Sequence, residues 1–160
     1  MLRPIASALL ALSLSACQAP LATGPPALNR ALDELYAAFD FDTDGEADWG
    51  AMRDLFLPGA TFVAPVNPAR PPSGEDAEAF LSGFQAWSRT GEYSESGLYE
   101  RILERSIHHA GHIAHAWVRF EGYLPTTGEV RTRGVDSIAF VRDGEHWKVV
   151  SFSTQYDAEP

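Results

Sequence analysis

The sequence predicts a single α+β domain in which three N-terminal helices pack on one face of a curved, mainly antiparallel sheet. Apolar residues recur at helical spacing as far as Trp87, and from about Leu98 the spacing changes to alternation. Turn signals then divide the alternating part into four segments. Helices followed by a run of strands are typical of domains whose helices cover one face of an antiparallel sheet.

Each predicted helix has a recognisable start. Pro25 and Pro26 suit the first turn of the first helix, and Asp48 can cap the second. The stretch 73–76 forms a Ser-x-x-acid capping box for the third helix, and the Pro-Gly pair at 58–59 is predicted to end the second. The apolar faces consist, in order, of Leu28, Leu32, Leu35, Tyr36 and Phe39; of Trp49, Met52 and Phe56; and of Ala77, Phe80, Leu81, Phe84 and Trp87.

One short strand is predicted between the second and third helices, and four longer strands after the third. The short strand is Thr61–Ala64, and the proline-rich stretch 65–72 after it is predicted to be a loop. The longer strands are expected near 98–109, 112–124, 130–142 and 146–156, with turns at Ala110-Gly111, 125–128 and Asp143-Gly144.

Composition excludes several classes of function. The chain has 160 residues with 22 acidic against 12 basic side chains, a net charge of −10. Such a chain is repelled by phosphates, so nucleic acid is not expected as a partner. The single cysteine excludes an internal disulfide and a four-cysteine metal site.

The N-terminus predicts export and lipid anchoring. Ile5–Leu14 is an apolar run of ten residues, whereas a membrane-spanning helix needs about twenty, so the run is predicted to be part of a signal peptide. The following Leu14-Ser15-Ala16-Cys17 resembles the bacterial lipobox, whose cysteine is lipidated after cleavage. The alternative is an ordinary secretory signal with an incidental cysteine.

These signals define the predicted organisation of the chain. We expect a signal peptide over 1–16, a tether over 17–27 that begins with lipidated Cys17, a domain over 28–156 and a tail over 157–160. Gln18 follows Cys17, whereas an aspartate there would resemble the inner-membrane retention signal. In a Gram-negative cell the expected location is the outer membrane, facing the periplasm, with the Cys17 acyl chains in the bilayer.

Three blocks of the sequence carry a resemblance to a known superfamily. They are 55–62 (LFLPGATF), 112–118 (HIAHAWV) and 133–140 (RGVDSIAF), the last leading to the WKVVS segment at 147–151. The chain resembles the nuclear transport factor 2-like superfamily, which includes ketosteroid isomerase and the SnoaL-like polyketide cyclases. The resemblance implies a conical pocket between the helices and the sheet, and in many members a dimer formed through the sheet.

The same resemblance implies that isomerase chemistry is missing. Ketosteroid isomerase has its general base in a motif of the form Ala-Thr-Val-Glu-Asp-Pro, and the matching stretch here is 60–65, with Ala64 at the base position. A methyl group cannot accept a proton. Tyr36 could correspond to the oxyanion-binding tyrosine, but without the base it is only a pocket hydroxyl.

The implied pocket suits a small apolar ligand. Several aromatic side chains have polar edges that could line such a cavity. The expected pocket residues are Tyr36, Ala64, Trp87, Tyr99, Trp117 and Tyr123.

The alternative interpretation is a SnoaL-like cyclase or hydrolase acting on a small molecule. Its candidate proton-transfer groups are His115, Arg133 and Asp136. Residues an even number apart on a strand share a face, so Arg119 and Glu121 lie together while Arg133 and Asp136 are predicted on opposite faces. Cross-strand ion pairs explain these charges better than a convergent catalytic set.

Four histidines near one turn raise the question of a metal. A two-residue turn at Ala110-Gly111 would place His109 opposite His112, but His112 and His115 face opposite ways, so no third ligand converges. The stretch 40–45 copies the start of a calcium-binding loop, yet Ala51 occupies the closing twelfth position, so a solvated acidic connector is expected. We therefore predict neither a metal nor a cofactor.

The sequence therefore predicts a lipid-anchored envelope domain that binds a small apolar ligand or a second copy of itself. Replacing the anchor residue tests the first part. Cys17→Ala should move the protein from the membrane fraction to the soluble fraction, because the acyl chains are lost. Continued sedimentation of the variant with membranes would contradict lipid anchoring.

Overall fold

A computed structural model describes residues 24–63 and 73–157. Within them the chain forms three α-helices and six β-strands. The helices are α1 (Pro26–Phe39), α2 (Trp49–Asp54) and α3 (Ala77–Thr90). The strands are β1 (Phe56–Val63), β2 (Gly74–Asp76), β3 (Tyr99–Ala110), β4 (Ile113–Tyr123), β5 (Val130–Asp143) and β6 (His146–Tyr156). The predicted fold class, α+β with three helices on a mainly antiparallel sheet, is confirmed.

All six strands form one sheet, in the order β2-β1-β6-β5-β4-β3. β1 pairs with β6 in parallel, while β2 with β1 and β3 through β6 pair antiparallel, so the sheet is mixed. The four long strands predicted from alternation are all present within two residues of their expected ends. The short strand β2 was not predicted.

The core lies between the helices and one face of the sheet, which we call the inner face. Alternation places Val118 and Phe120 of β4 and Ile138 of β5 on this face, each at most 2% exposed. The apolar face predicted for α1 packs against them, with Leu28, Leu32 and Leu35 fully buried. Complete burial of one such side chain contributes about 1.5–3 kcal/mol, so this layer accounts for much of the fold's stability.

The second helix is shorter than predicted. α2 ends at Asp54, and Phe56 begins β1, because the chain leaves the helix to pair with β6. The Val149 amide already donates to the Leu55 carbonyl at 2.9 Å. Pro58 and Gly59 therefore do not end the helix; they occupy the irregular part of β1, where the pairing between Phe56 and Thr61 is interrupted and a missing N–H is tolerated.

The predicted N-cap of α2 is confirmed, and the predicted N-cap of α3 is wrong. Asp48 caps α2 as predicted, accepting from the Ala51 amide at 2.9 Å. α3 is capped by Asp76, which accepts from the Glu78 amide at 2.8 Å, and not by a Ser73 box. The reason is that Gly74–Asp76 pairs with β1 and delays the start of the helix.

The N-terminal boundary also differs from the prediction. α1 starts at Pro26, so the last two residues of the predicted tether belong to the helix. Cys17, the predicted signal peptide and Ala64 lie outside the described residues. Over residues 24–63 and 73–157, no helix has the length and apolarity that a bilayer crossing requires.

Candidate functional site: an aromatic cavity with buried carboxyl groups

An open cavity of about 350 Å³ lies between α3 and the inner face of the sheet. Nine of its fifteen lining side chains are aromatic and one is Leu98; the other five are Glu92, Glu100, Thr132, Asp136 and Thr154. A concave, mainly apolar space with a few converging polar groups has the composition of a small-molecule site. The aromatic lining consists of Phe39, Phe62, Phe80, Phe84, Trp87, Tyr93, Phe120, Phe152 and Tyr156.

The wall formed by α3 follows from the helical spacing of its aromatic residues. Phe80, Phe84 and Trp87 recur every three or four residues and stack in sequence, with ring centroids 5.9 Å and 5.6 Å apart. Phe62 of β1 lies parallel to Phe80, and Phe152 of β6 stacks on Phe62 at 5.2 Å. The helix and the sheet are thus joined by a continuous set of rings along one side of the cavity.

Asp136 forms the most deeply buried polar part of the cavity lining. Its residue exposure is 1%, and the Tyr36 hydroxyl on α1 donates to Oδ2. Oδ1 is buried and has no hydrogen-bond partner among the described residues; the Trp49 Nε1 is the other such side-chain atom there. Burial raises the pKa of Asp136 to about 6, although the bond from Tyr36 and the neighbouring Thr154 side chain oppose the rise.

Glu100 is a second carboxyl group on the cavity wall. It lies on the inner face of β3, opposite Gly122 of β4. Burial, followed by the charges of Asp136 and Asp40, raises its pKa to about 8. The protein therefore holds two acids, Asp136 and Glu100, whose pKa values lie close to neutrality and which repel one another when both are ionised.

Backbone geometry beside Glu100 depends on a glycine and on Asp40. A Cβ on Gly122 would lie 2.5 Å from the Thr132 Oγ1, so only glycine lets Thr132 occupy the cavity wall there. Asp40, which follows α1, accepts from the Glu100 amide at 2.7 Å and fixes the start of β3. Burial raises the pKa of Asp40 to about 6.

Of the pocket residues predicted from the sequence, Trp87 lines the cavity and Tyr36 lies behind it, bonded to Asp136. Tyr99, Trp117 and Tyr123 are not in the lining. They alternate along their strands with the inward-facing residues and therefore lie on the outer face of the sheet, where Trp117 is 53% exposed. Ala64 is outside the described residues.

The three candidate catalytic residues do not converge. Asp136 faces the cavity, whereas His115 lies on the outer face with its Nε2 2.9 Å from the Ser137 Oγ. Arg133 is also on the outer face, where its Nε donates to the Glu121 Oε2 at 3.1 Å. Arg133 and Asp136 therefore lie on opposite faces of the sheet, as their spacing predicts, and the three candidates do not share one site.

Glu121 is the centre of an ion-pair network on the outer face. It is 4% exposed, and it accepts from Arg101 Nε at 2.8 Å as well as from Arg133. The arginines, Arg101 most strongly, lower the pKa of Glu121. The cross-strand ion pairs predicted for these charges are therefore present, with Arg101 rather than Arg119 as the further partner.

The histidines and the acidic connector differ from their expected arrangement. The turn residues are Gly111 and His112, so His109 pairs with Ala114 and His108 with His115. No group of three or more metal-ligating side chains forms within the described ranges. The acidic connector is only partly solvated, because Asp40 is half-buried beneath Glu100 and Asp42 accepts from the Tyr99 hydroxyl at 2.7 Å.

Sequence reasoning missed Glu100, although a signal was present. Leu98 and Ile102 lie two positions on either side of it and are apolar, so alternation places Glu100 on the inward-facing side of its strand. A lone acid at an apolar-facing position is uncommon in a core and points to a functional site.

The raised pKa of Glu100 predicts a specific pH dependence of stability. The folded protein retains a proton up to about pH 8, whereas an unfolded glutamate loses it near 4.5, so the free energy of unfolding should fall as pH rises between these values. Glu100→Gln should remove the part of this fall that Glu100 causes, leaving the fall below about pH 6 to which Asp40 and Asp136 contribute. It should raise the free energy of unfolding at pH 8.5 by about 2 kcal/mol or more. Thermal or urea unfolding from pH 5 to pH 9 measures it.

The matched control is Glu104→Gln, an exposed glutamate on the same strand. The difference in the free energy of unfolding between this variant and the unsubstituted protein should not change with pH. A pH profile of Glu100→Gln parallel to that of the unsubstituted protein would contradict the burial of an ionisable Glu100.

Comparison with known proteins identifies the architecture. No family model and no curated protein sequence matches the chain. Among solved structures, it is similar to a protein of unknown function with a cystatin-like fold from Nostoc punctiforme, with a TM-score of 0.64 and 8% identity, covering 83% of this chain and 90% of that one. A nuclear transport factor 2-like protein with a cystatin-like fold from Novosphingobium aromaticivorans gives a TM-score of 0.63 at 11% identity, covering 84% and 82%.

A putative ketosteroid isomerase from Parabacteroides distasonis is also similar, with a TM-score of 0.56 and 13% identity, covering 82% of this chain and 86% of that one. Identities this low carry the fold and not the function. The cavity therefore lies where helices and sheet meet in a fold that hosts many different ligands and reactions. The chain has the nuclear transport factor 2-like, or cystatin-like, fold.

Proposed function

We propose that the protein is a lipid-anchored envelope domain that binds a small, largely apolar molecule in its aromatic cavity. The observation that carries the binding function is the cavity of about 350 Å³ with nine aromatic side chains in its lining. An interior evolved only for stability would be filled, because empty apolar space forfeits dispersion contacts and destabilises the fold. The polar groups on the same wall orient a bound molecule.

The anchor is supported by the sequence alone. The apolar run Ile5–Leu14 and the lipobox-like sequence that ends at Cys17 favour export and acylation, and Gln18 favours the outer membrane, facing the periplasm. In that arrangement the cavity would sample small molecules in the space beside the membrane.

A second candidate function is an enzyme of the SnoaL-like or hydrolase kind. It is favoured by Asp136 and Glu100, whose raised pKa values suit proton transfer near neutral pH. Conversion of a small molecule by the protein, but not by Asp136→Asn, would favour the enzyme over the binding protein. His115 and Arg133 have no part in this candidate, because they lie on the other face of the sheet.

Ligand binding can be tested with an uncharged fluorescent probe, N-phenylnaphthylamine. Its fluorescence should rise on addition of the Cys17→Ala chain, prepared without detergent, because the dye leaves water for the aromatic cavity. Thr132→Trp places a large side chain on the cavity wall and should weaken binding of the dye about ten-fold or more.

The matched control for the dye experiment is Thr61→Trp, at an exposed position on β1 away from the cavity lining. This variant should bind the dye as well as the Cys17→Ala chain does. Equal binding by Thr132→Trp and Thr61→Trp would show that the dye does not occupy the cavity and would count against the proposed function.

We also propose self-association through the outer face of the sheet. Leu103, Ile113 and Trp117 are 48%, 63% and 53% exposed there. The neighbouring Glu104 and Arg119 lie opposite one another on β3 and β4. Because each copy carries both charges, the glutamate of one copy can lie near the arginine of the other in a two-fold dimer. This proposal is independent of the cavity, because the outer-face residues point away from it.

Trp117→Glu should disrupt such a dimer, because it places a charge in the centre of an apolar contact. Sedimentation velocity of the Cys17→Ala chain should give a dimer at micromolar concentration, and the added Trp117→Glu substitution should give a monomer. His112→Glu, at the turn beside β4, serves as the charge control and should stay dimeric. A monomeric Cys17→Ala chain at all concentrations would refute self-association.

A further inference from the structure

We propose that the cavity ligand is an organic cation, with an apolar body among the aromatic rings and an ammonium group between Asp136 and Glu100. This inference rests on the binding function proposed above and names the chemical class of its ligand. Three features carry it: an unpartnered carboxylate oxygen, the charge of the lining, and the chemistry of the walls.

The unpartnered oxygen is Asp136 Oδ1. The residue is 1% exposed and lines the cavity, and the Tyr36 hydroxyl donates to its other oxygen. The Thr154 side chain also lowers the pKa of this carboxyl, but Oδ1 has no hydrogen-bond partner among the described residues. A buried carboxylate oxygen without a donor destabilises the protein, so its presence in a cavity wall favours a partner that arrives from outside. An ammonium group supplies up to three donors.

The negative charge of the cavity lining favours a positively charged ligand. Glu92, Glu100 and Asp136 line the cavity, and none of the fifteen lining residues that the structure describes is Lys, Arg or His. An anionic ligand would therefore be repelled. A neutral hydroxyl could donate to the Asp136 carboxylate but would leave Glu100 protonated, whereas a cation attracts Asp136 and also stabilises the ionised form of Glu100.

The walls suit a cation as well as an apolar body. Aromatic faces attract ammonium groups within about 6 Å of the ring centre, and the attraction grows when the group is desolvated. Nine rings surround about 350 Å³, so a cation at any point of the cavity lies near an aromatic side chain. The same rings accommodate the hydrocarbon part of an amine.

Glu100 is surrounded by further ionisable groups, and their charges decide how it responds to a ligand. Four of these groups lie on the helices or just after them: Tyr36 on α1, Asp40 after α1, and Glu92 and Tyr93 after α3. The others lie on strands: Asp136 on β5, Tyr156 on β6, and Arg105 on β3, which acts on Tyr36. The acids in this set outnumber the two arginines: Arg105 is bound to Asp33 at the surface, and Arg131, which acts on Tyr93, is paired with Glu129. Within residues 24–63 and 73–157, no cationic side chain is therefore paired with Glu100.

The decisive experiment compares three probes with one carbon skeleton: phenylbutylamine, phenylbutanol and phenylbutyrate. Isothermal titration calorimetry with the Cys17→Ala chain at pH 7.5 gives their affinities. The amine should bind about ten-fold or more tighter than the alcohol, because a hydrogen bond to a charged group adds about 1.5–3 kcal/mol, and the carboxylate should not bind.

Substitution of the acids tests the proposed contact. Asp136→Asn should reduce the affinity for the amine about ten-fold and leave that for the alcohol within about threefold. Glu100→Gln, at a position that is less buried, provides a second variant should Asp136→Asn fail to fold. Glu34→Gln, an exposed acid on α1 that does not line the cavity, is the matched control and should leave both affinities unchanged.

Proton exchange gives an independent readout. Glu100 is protonated below about pH 8, and a bound ammonium stabilises its carboxylate, so binding of the amine at pH 7 should release protons to the buffer. The release is measured as a dependence of the binding enthalpy on buffer ionisation enthalpy. It should be absent for the alcohol and for Glu100→Gln.

Two negative results have different meanings. If the alcohol and N-phenylnaphthylamine bind and the amine is no tighter than the alcohol, the cavity binds neutral ligands and the cation proposal is overturned. If none of these probes binds, the proposed binding function fails as well. Binding of the amine without proton release would overturn the part assigned to Glu100.

Discussion

A carboxylate enclosed by aromatic side chains needs a donor, and the Tyr36 hydroxyl supplies it to Asp136. The two residues are 100 positions apart, on the first helix and the fifth strand, so their hydrogen bond ties the helical layer to the sheet beside the cavity. It satisfies only one of the two carboxylate oxygens. The rest of the site follows from this half-satisfied acid, since its charge influences both Glu100 and Tyr156.

Alternation predicted the strands and the relative orientation of their residues. It separated Arg133 from Asp136 correctly, because parity along a regular strand does not depend on the rest of the fold. It did not predict the orientation of Trp117, because alternation separates the two faces of a strand without indicating which face is covered by the helices. A large aromatic side chain was expected inside, yet Trp117 alternates with inward-facing Ala116 and Val118 and must point outward.

The features that the sequence did not predict depend on contacts between distant segments. Phe56 has helical spacing with Trp49 and Met52, but pairing with β6 takes it into a strand. Asp40 looked like part of a solvated connector, and its burial depends on the Glu100 amide, 60 residues later. Local pattern carries no information about such partners, so the parallel strand pair and the burial of Asp40 required the three-dimensional structure.

Residues of the inner and outer faces alternate along β4 and β5, and this affects how the sequence can change in evolution. Neighbouring residues on each strand serve different surfaces: Asp136 belongs to the cavity, while Ser137, beside it, contacts His115 outside. A substitution at one position therefore alters chemistry inside the cone without touching the exterior, and the reverse also holds. Relatives that share this backbone can therefore change the lining of the cavity while the exterior of the sheet stays intact, or change the exterior while the lining stays the same.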